Sequence, residues 1–218
     1  MTENFKRGLT AVAAVAVIAA SALWIYRAQT SDRKQNVALH THIGEVLAEQ
    51  TAALAGKKAR VVTLSIETKE WPELKTQIAA FKAQLKKLGD YEVREYEMDT
   101  KDQPKYGVGS GLSGRRYVRT VNKNKTADIF VSFIGAPHMT KEDLAELETK
   151  PKLVVEARAV DNLSKLFQHQ ILEVAVVSRF QFPSPAPEKP KTTEEWFIKR
   201  YQIVTATNAA GLPKPEPD

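Results

Sequence analysis

The sequence holds no cysteine. Disulfides, thiolate metal sites and cysteine nucleophiles are excluded together. It also lacks the short motifs that announce several chemistries. No GxxxxGK[ST] phosphate loop, no HExxH and no GxSxG is present, and no internal repeat is found. Charge of one sign is scarce as well. Lys+Arg 32 against Asp+Glu 26 leaves +6. About half of that excess sits in residues 1–34, where Lys6, Arg7, Arg27, Arg33 and Lys34 face only Glu3 and Asp32. The remainder is too nearly neutral for a chain-wide nucleic-acid footprint, and no nucleic-acid partner is expected. No cofactor and no metal is expected either.

What is present is globular in type, with 43% hydrophobic and 27% charged residues. Residues 9–26 (LTAVAAVAVIAASALWIY) carry no charge. At about 1.5 Å per residue the run reaches roughly 27 Å, enough for a bilayer core. Lys6 and Arg7 precede it, Trp24 and Tyr26 lie where an interfacial belt would form, and Arg27 follows. A cleaved signal peptide is the rival reading, because Ala20, Ser21 and Ala22 have the form of a cleavage site. The apolar run continues past Ala22, which favours an uncleaved anchor. The expected address is the bacterial inner membrane, single pass, with the bulk of the chain in the periplasm. The bilayer is then one partner, through residues 9–26.

Further along, helical and strand patterns alternate. Residues 30–55 read as a helix with Leu39, Ile43, Val46, Leu47 and Leu54 in one stripe and Gly56 as its stop. Residues 60–67 (RVVTLSIE) are β-rich. Trp71, Leu74, Ile78, Phe81, Leu85 and Leu88 step by three and four, the cleanest helical stripe in the chain. Residues 91–98 alternate like a half-exposed strand, and 128–134 (DIFVSFI) form an almost wholly apolar one. Strands are also expected at 152–156 and 172–180, with short helices at 115–124, 140–148 and 161–169. Pro183, Pro185, Pro187 and Pro190 stiffen a linker. Thr192 and Glu195 then form a capping box that opens a helix carrying Trp196, Phe197 and Tyr201. Near-continuous apolar strands joined by helices mark a parallel sheet covered on both faces.

The run 60–180 resembles one lobe of the type-I periplasmic substrate-binding proteins, and more loosely a flavodoxin-like or receiver-type domain. Its βα order carries the resemblance, together with 128–137 (DIFVSFIGAP), where an apolar strand ends in a small-residue loop. The likeness is one of topology and contains no specific motif. Such binding proteins have two lobes with the ligand between them, whereas this chain has length for one. Receiver domains need an acidic cluster on the first strand and an Asp ending the third. Here those strands end in Ser65, Ile66 and Glu67 and in Phe133, Ile134 and Gly135. The resemblance implies a Rossmann/flavodoxin-like α/β fold, with five or six mostly parallel strands and helices on both faces, and the uncharged run 9–26 places one transmembrane helix before it. The expected divisions are an N-terminal tail at 1–8, the span at 9–26, a linker helix at 27–56 and the α/β domain at 57–182. A Pro-rich linker at 183–191, a C-terminal helix and strand at 192–206 and a tail at 207–218 follow.

The glycine loop is the most suggestive feature for ligand binding. Gly107, Gly109 and Gly111, with Ser113, offer backbone N–H groups ahead of a helix, and residues 103–127 hold Arg115, Arg116 and four further bases but no acid before Asp128. An anion could sit there with Arg115 or Arg116 as its forked partner. The ordinary alternative is a solvated basic helix neutralised by the acids of 90–102. His40 and His42, two apart on a helix, cannot share a metal, and each histidine is expected to be exposed or capping. Asp99, Ala136 and His138 mark the sheet edge where an enzyme would do its chemistry, but no convergent catalytic set appears. The chain is therefore expected to be no enzyme. The leading expectation is a non-catalytic accessory or scaffold subunit of a membrane complex, touching protein partners through Leu39, Ile43, Val46, Trp196, Phe197 and Tyr201. The alternative is a small-anion or solute-binding module at 107–116, closing its site by forming a homo-oligomer.

Overall fold

The computed structural model describes residues 3–98, 111–160, 162–179 and 190–212, with side chains described from 14–27 and from 33 onward within these ranges. Helix α1 spans Glu3–Ala55. The chain falls into two units, Met1–Ala38 and Leu39–Asp218. In the first, Val15, Val17, Ile18, Leu23, Trp24, Ile25 and Tyr26 are all exposed. No helix among the described residues is long and apolar enough to cross a membrane. The start of the expected span, 9–13, lies outside the described side chains.

The second unit is a layered α/β domain. After α1 come β1 (Lys58–Ile66), α2 (Pro72–Leu88), β2 (Asp90–Met98), β3 (Leu112–Ser113), α3 (Gly114–Lys123), β4 (Ile129–Ser132) and β5 (Pro137–His138). Then follow α4 (Lys141–Ala145), β6 (Lys152–Ala157), α5 (Leu163–Gln168), β7 (Leu172–Ser178), α6 (Thr193–Arg200), β8 (Tyr201–Thr205) and a 3-10 turn at Ala209–Gly211. The main sheet has six strands in the order β2-β1-β4-β6-β7-β8. Its pairs are parallel except β7 with β8. β3 and β5 form a separate two-stranded piece.

Handedness sorts the helices. The connection from β1 to β2 runs one way across the sheet and the later parallel crossovers run the other, so right-handed crossovers place α2 on one face and α3–α5 on the opposite face. Ring contacts agree: Phe81 of α2 meets Phe133 at 5.4 Å, and Tyr117 of α3 meets Phe130 at 6.1 Å. Strands β4, β6 and β7 are apolar on both faces because both are covered. Edge strand β2 is only partly covered, with Met98 at its end buried. Gly56, at φ +74°, ends α1 with its N–H on the Ala52 carbonyl. Capping boxes start α4 at Thr140 and α6 at Thr192.

Several expectations are corrected. The helix expected over 30–55 is continuous from Glu3. His40 is buried and shares a 3.0 Å hydrogen bond with the Gln77 side chain. Leu39, Ile43, Val46, Phe197 and Tyr201, expected to touch partners, are buried in this chain's own core, and Trp196 is half-buried. The reason is packing: α1 and α6 lay these stripes on their own sheet, where His42 meets Phe197 edge-on at 5.0 Å. Leu88, expected in the α2 stripe, is instead exposed at the helix end. The 192–206 segment adds α6 and the sixth, antiparallel strand to the sheet.

Candidate functional site

Strands β1 and β4 are neighbours whose onward connections leave in opposite directions. The two strands stay paired to their carboxyl ends, where Phe133 donates its N–H to the Leu64 carbonyl. The parting of the connections beyond makes this edge the switch point at which open α/β sheets hold ligands in a crevice. One side is Ser65 at the end of β1, followed by exposed Glu67 and half-buried Thr68. The other is the turn after β4. Ser132 Oγ donates to the Gly135 carbonyl at 2.6 Å, and Gly135 adopts φ +100°. Asn162 holds the Pro137 carbonyl at 2.6 Å. These bonds stiffen the turn, so the wall is formed before any ligand arrives.

The end of the glycine loop is fastened onto that wall. Gly111 donates its N–H to the Ile134 carbonyl at 2.9 Å, and Leu112 and Ser113 pair with Pro137 and His138. Gly111 has φ +99°, and a Cβ there would run into the Ala136 carbonyl oxygen. Ser113 is exposed at the N-cap of α3, and its side chain does not cap the helix. Arg115 is exposed and Arg116 half-buried. Gly107 and Gly109 lie outside the described residues. Of the expected ligand set, the fold thus brings Gly111 and Ser113 to the rim beside His138 and places Arg115 and Arg116 in the first turn of α3.

The electrostatics argue against an anion at this helix end. The Asp143 carboxylate of α4 lies where a Cβ on Gly114 would go, so the start of α3 already has a negative neighbour. Glu148 of the segment after α4 forms an ion pair with Lys125, and Asn122 binds the backbone at Glu146 and Glu148. Of the stretch 90–102 expected to neutralise the basic helix, Asp90 and Glu95 pair instead with Lys58 and Lys82, and Arg94 reaches Asn124 just past α3. Asp99 lies outside the described residues. Among the described residues no group of three His, Cys, Asp or Glu could hold a metal. At the amino edge, Arg60, Glu92, Arg94 and Asn124 line a cavity of about 20 Å³, room for a water and far too small for a metabolite.

No protein-family model and no curated protein matches this sequence. Solved structures do. A solute-binding protein of an ABC transporter from Burkholderia graminis, in complex with D-arabinose, aligns with TM-score 0.55 and 17% identity, over 80% of this chain and 62% of its own. One from Agrobacterium vitis, bound with alpha-D-tagatopyranose, gives 0.52 and 12% over 79% of this chain and 58% of its own. The arabinose binding protein AraP from Geobacillus stearothermophilus gives 0.52 and 13%, over 78% and 62%. The fold is that of the periplasmic solute-binding proteins. At these identities the likeness concerns the fold alone, and this chain spans about three-fifths of its neighbours' length. The neighbours are binding proteins and not enzymes. They overturn the expectation of a scaffold subunit, since the shared architecture is one that carries a solute site.

Sequence reasoning passed over Ser65, Thr68 and Asn162 at this edge. The one signal available was position: each lies within a few residues of an expected strand or helix end.

Proposed function

We propose that the unit Leu39–Asp218 is an extracytoplasmic binding lobe for a small polyhydroxylated solute, held in the crevice between the ends of β1 and β4. The observation that carries this reading is the fold shared with three solute-binding proteins whose stated ligands are sugars. The chemistry of the rim suits such a ligand. A sugar offers hydroxyls that donate and accept, and needs both in return. Glu67 accepts, Thr68 and Ser113 do both, and Arg115 and Arg116 donate. Gly107 and Gly109 would add backbone N–H groups, that of Gly111 being held by the Ile134 carbonyl. Asp143 beside Gly114 favours a neutral solute over an anion.

The exposed apolar side chains between Val15 and Tyr26 support a tether, in which 9–26 holds the lobe on the periplasmic side of a bacterial inner membrane. A second copy of the chain would supply the facing wall of the crevice. Calorimetric titration with D-arabinose, tagatose and inorganic phosphate tests the reading. A saturable heat with a sugar, lost in Ser113→Ala/Arg115→Ala, is the expected outcome. Heat with phosphate alone, or silence across a pentose and hexose panel, would refute it.

A further inference from the structure

A second group of polar side chains converges on the sheet away from this rim. Glu156, next to last in β6, is 2% exposed, and its Oε1 has no hydrogen-bond partner among the described residues. The register fixes where it points. Phe130 faces α3, and Leu153 and Val155 pair with Phe130 and Ser132. Strand residues alternate, so Lys152, Val154 and Glu156 face the other side. There the Lys152 ammonium donates to the Leu54 carbonyl of α1 at 2.8 Å. On the same side Glu156 pairs with Val176, and Ser178 pairs with Tyr201 of β8. Tyr201 stacks on Phe197 at 5.7 Å, and Phe197 meets His42 of α1. Phe197 of helix α6 thus packs over this part of the face, beside Tyr201 of the edge strand β8.

The ionisable groups on this side are linked through two arginines. Arg158, just past β6, acts on Glu156, on Tyr201 of β8 and on His40 of α1; Arg200 of α6 acts on Tyr201 and His40; Glu156 acts on Tyr201, and Glu73 of α2 on His40. Arg158 is near enough to act on Glu156, and Arg200 lies over the Trp196 ring at 4.6 Å. A buried carboxyl with an oxygen left unpartnered is tolerable when neutral and costly when ionised. Strand β8 is bonded on one side only, so it can lift while the parallel core stays intact.

We propose that α6 and β8 form a proton-controlled flap, seated on the sheet while Glu156 is uncharged and lifting to admit water when Glu156 ionises. Burial pushes the Glu156 carboxyl up to about 7, against the pull of Arg158. Burial holds His40 below its ordinary range, with Glu73 raising it and Arg158 and Arg200 lowering it. Burial, then Glu156, pushes the Tyr201 phenol up to about 12, so it keeps its proton. The flap's seating is therefore firmest below the ordinary carboxylate range and weakens as pH rises through about 7. It holds whether or not a sugar binds at the rim.

Hydrogen exchange on the full chain, corrected for intrinsic rates, tests this. Amides of 193–205 should lose protection about tenfold between about pH 6 and about pH 8.5, while β1 and β4 stay protected. Glu156→Gln should remove that pH dependence and His40→Gln should leave it. A drop that survives Glu156→Gln, that disappears in His40→Gln, that spreads over the whole sheet, or that is absent in the parent would overturn the flap. Carbon-13 carboxyl NMR of the parent protein gives a check that needs no variant: a Glu156 midpoint in the ordinary carboxylate range would also overturn it.

Discussion

Gly44 of α1 lies against the backbone carbonyl of Gln77 in α2, so close that a Cβ on Gly44 would collide with that oxygen. Four residues earlier, His40 bonds the Gln77 side chain at 3.0 Å. The two helices approach through a position without a side chain, and a paired histidine and glutamine fill the gap beside it. This contact seats α1 on α2.

Gly44→Ala should therefore destabilise. Alanine gains about 1 kcal/mol of helix propensity over glycine, but overpacking against fixed backbone costs about 1–3 kcal/mol. A net loss on the order of 1 kcal/mol, read as a lower midpoint in urea unfolding with an unchanged slope, is expected. An unchanged or raised midpoint would show that the helices separate without strain.

Tyr117 gives the opposite sign. Its ring packs on Phe130, but its buried hydroxyl has no hydrogen-bond partner among the described residues, and burial pushes its ionisation well above the ordinary range. Tyr117→Phe keeps the ring and removes the unsatisfied group. It should leave stability unchanged or raise it by about 1 kcal/mol. A loss beyond about 1 kcal/mol would reveal a partner for that hydroxyl.

Gly111→Ala places a Cβ at φ +99° and against the Ala136 carbonyl. It should loosen the β3–β5 pairing and weaken sugar binding while sparing the sheet. Exchange at 111–113 and at His138 should rise with little change in β1 or β4. Equal loosening throughout would mean that the rim and the sheet open as one.

Glu156 makes stability depend on pH in a definite direction. Its folded-state carboxyl is raised to about 7, so the folded chain binds this proton more tightly than the unfolded chain. The contribution is complete below the ordinary carboxylate range and is lost as pH rises through about 7. Glu156→Gln carries no charge, so its melting temperature relative to the parent should rise by roughly 5 °C from about pH 5 to about pH 8.5. A difference that does not vary with pH would contradict the burial.

Much of the frame was legible because it rests on periodicity. Leu74, Ile78, Phe81 and Leu85 announced α2, and the apolar run at 128–134 announced a central strand buried on both faces. The capping pairs Thr140–Asp143 and Thr192–Glu195 mark helix starts because their hydrogen bonds are local. His40 was misplaced although its spacing held the signal: with Ile43, Leu47 and Thr51 it steps by three, four and four along the buried face. A polar residue inside an apolar stripe reads as an exception until its partner, 37 positions away at Gln77, is known. Glu156 was hidden for a related reason. A glutamate closing an apolar strand suggests an exit into solvent, and the rings packed on that side of the sheet, Phe197 and Tyr201, lie beyond a proline-rich stretch. The pairing of β3 with β5 is too short for any periodic signal. The partner-contact reading of Phe197 and Tyr201 failed because a stripe shows that a helix packs, not what it packs on.

The claim that matters most is that a sugar sits at the carboxyl edge of the sheet. Amide hydrogen exchange of the full chain, with and without a saturating pentose or ketohexose, locates it directly. Slowed exchange confined to 65–68, 111–116 and 134–138 is the predicted footprint. No slowing with any sugar, or slowing centred on Arg60, Arg94 and Asn124 at the opposite edge, would contradict it.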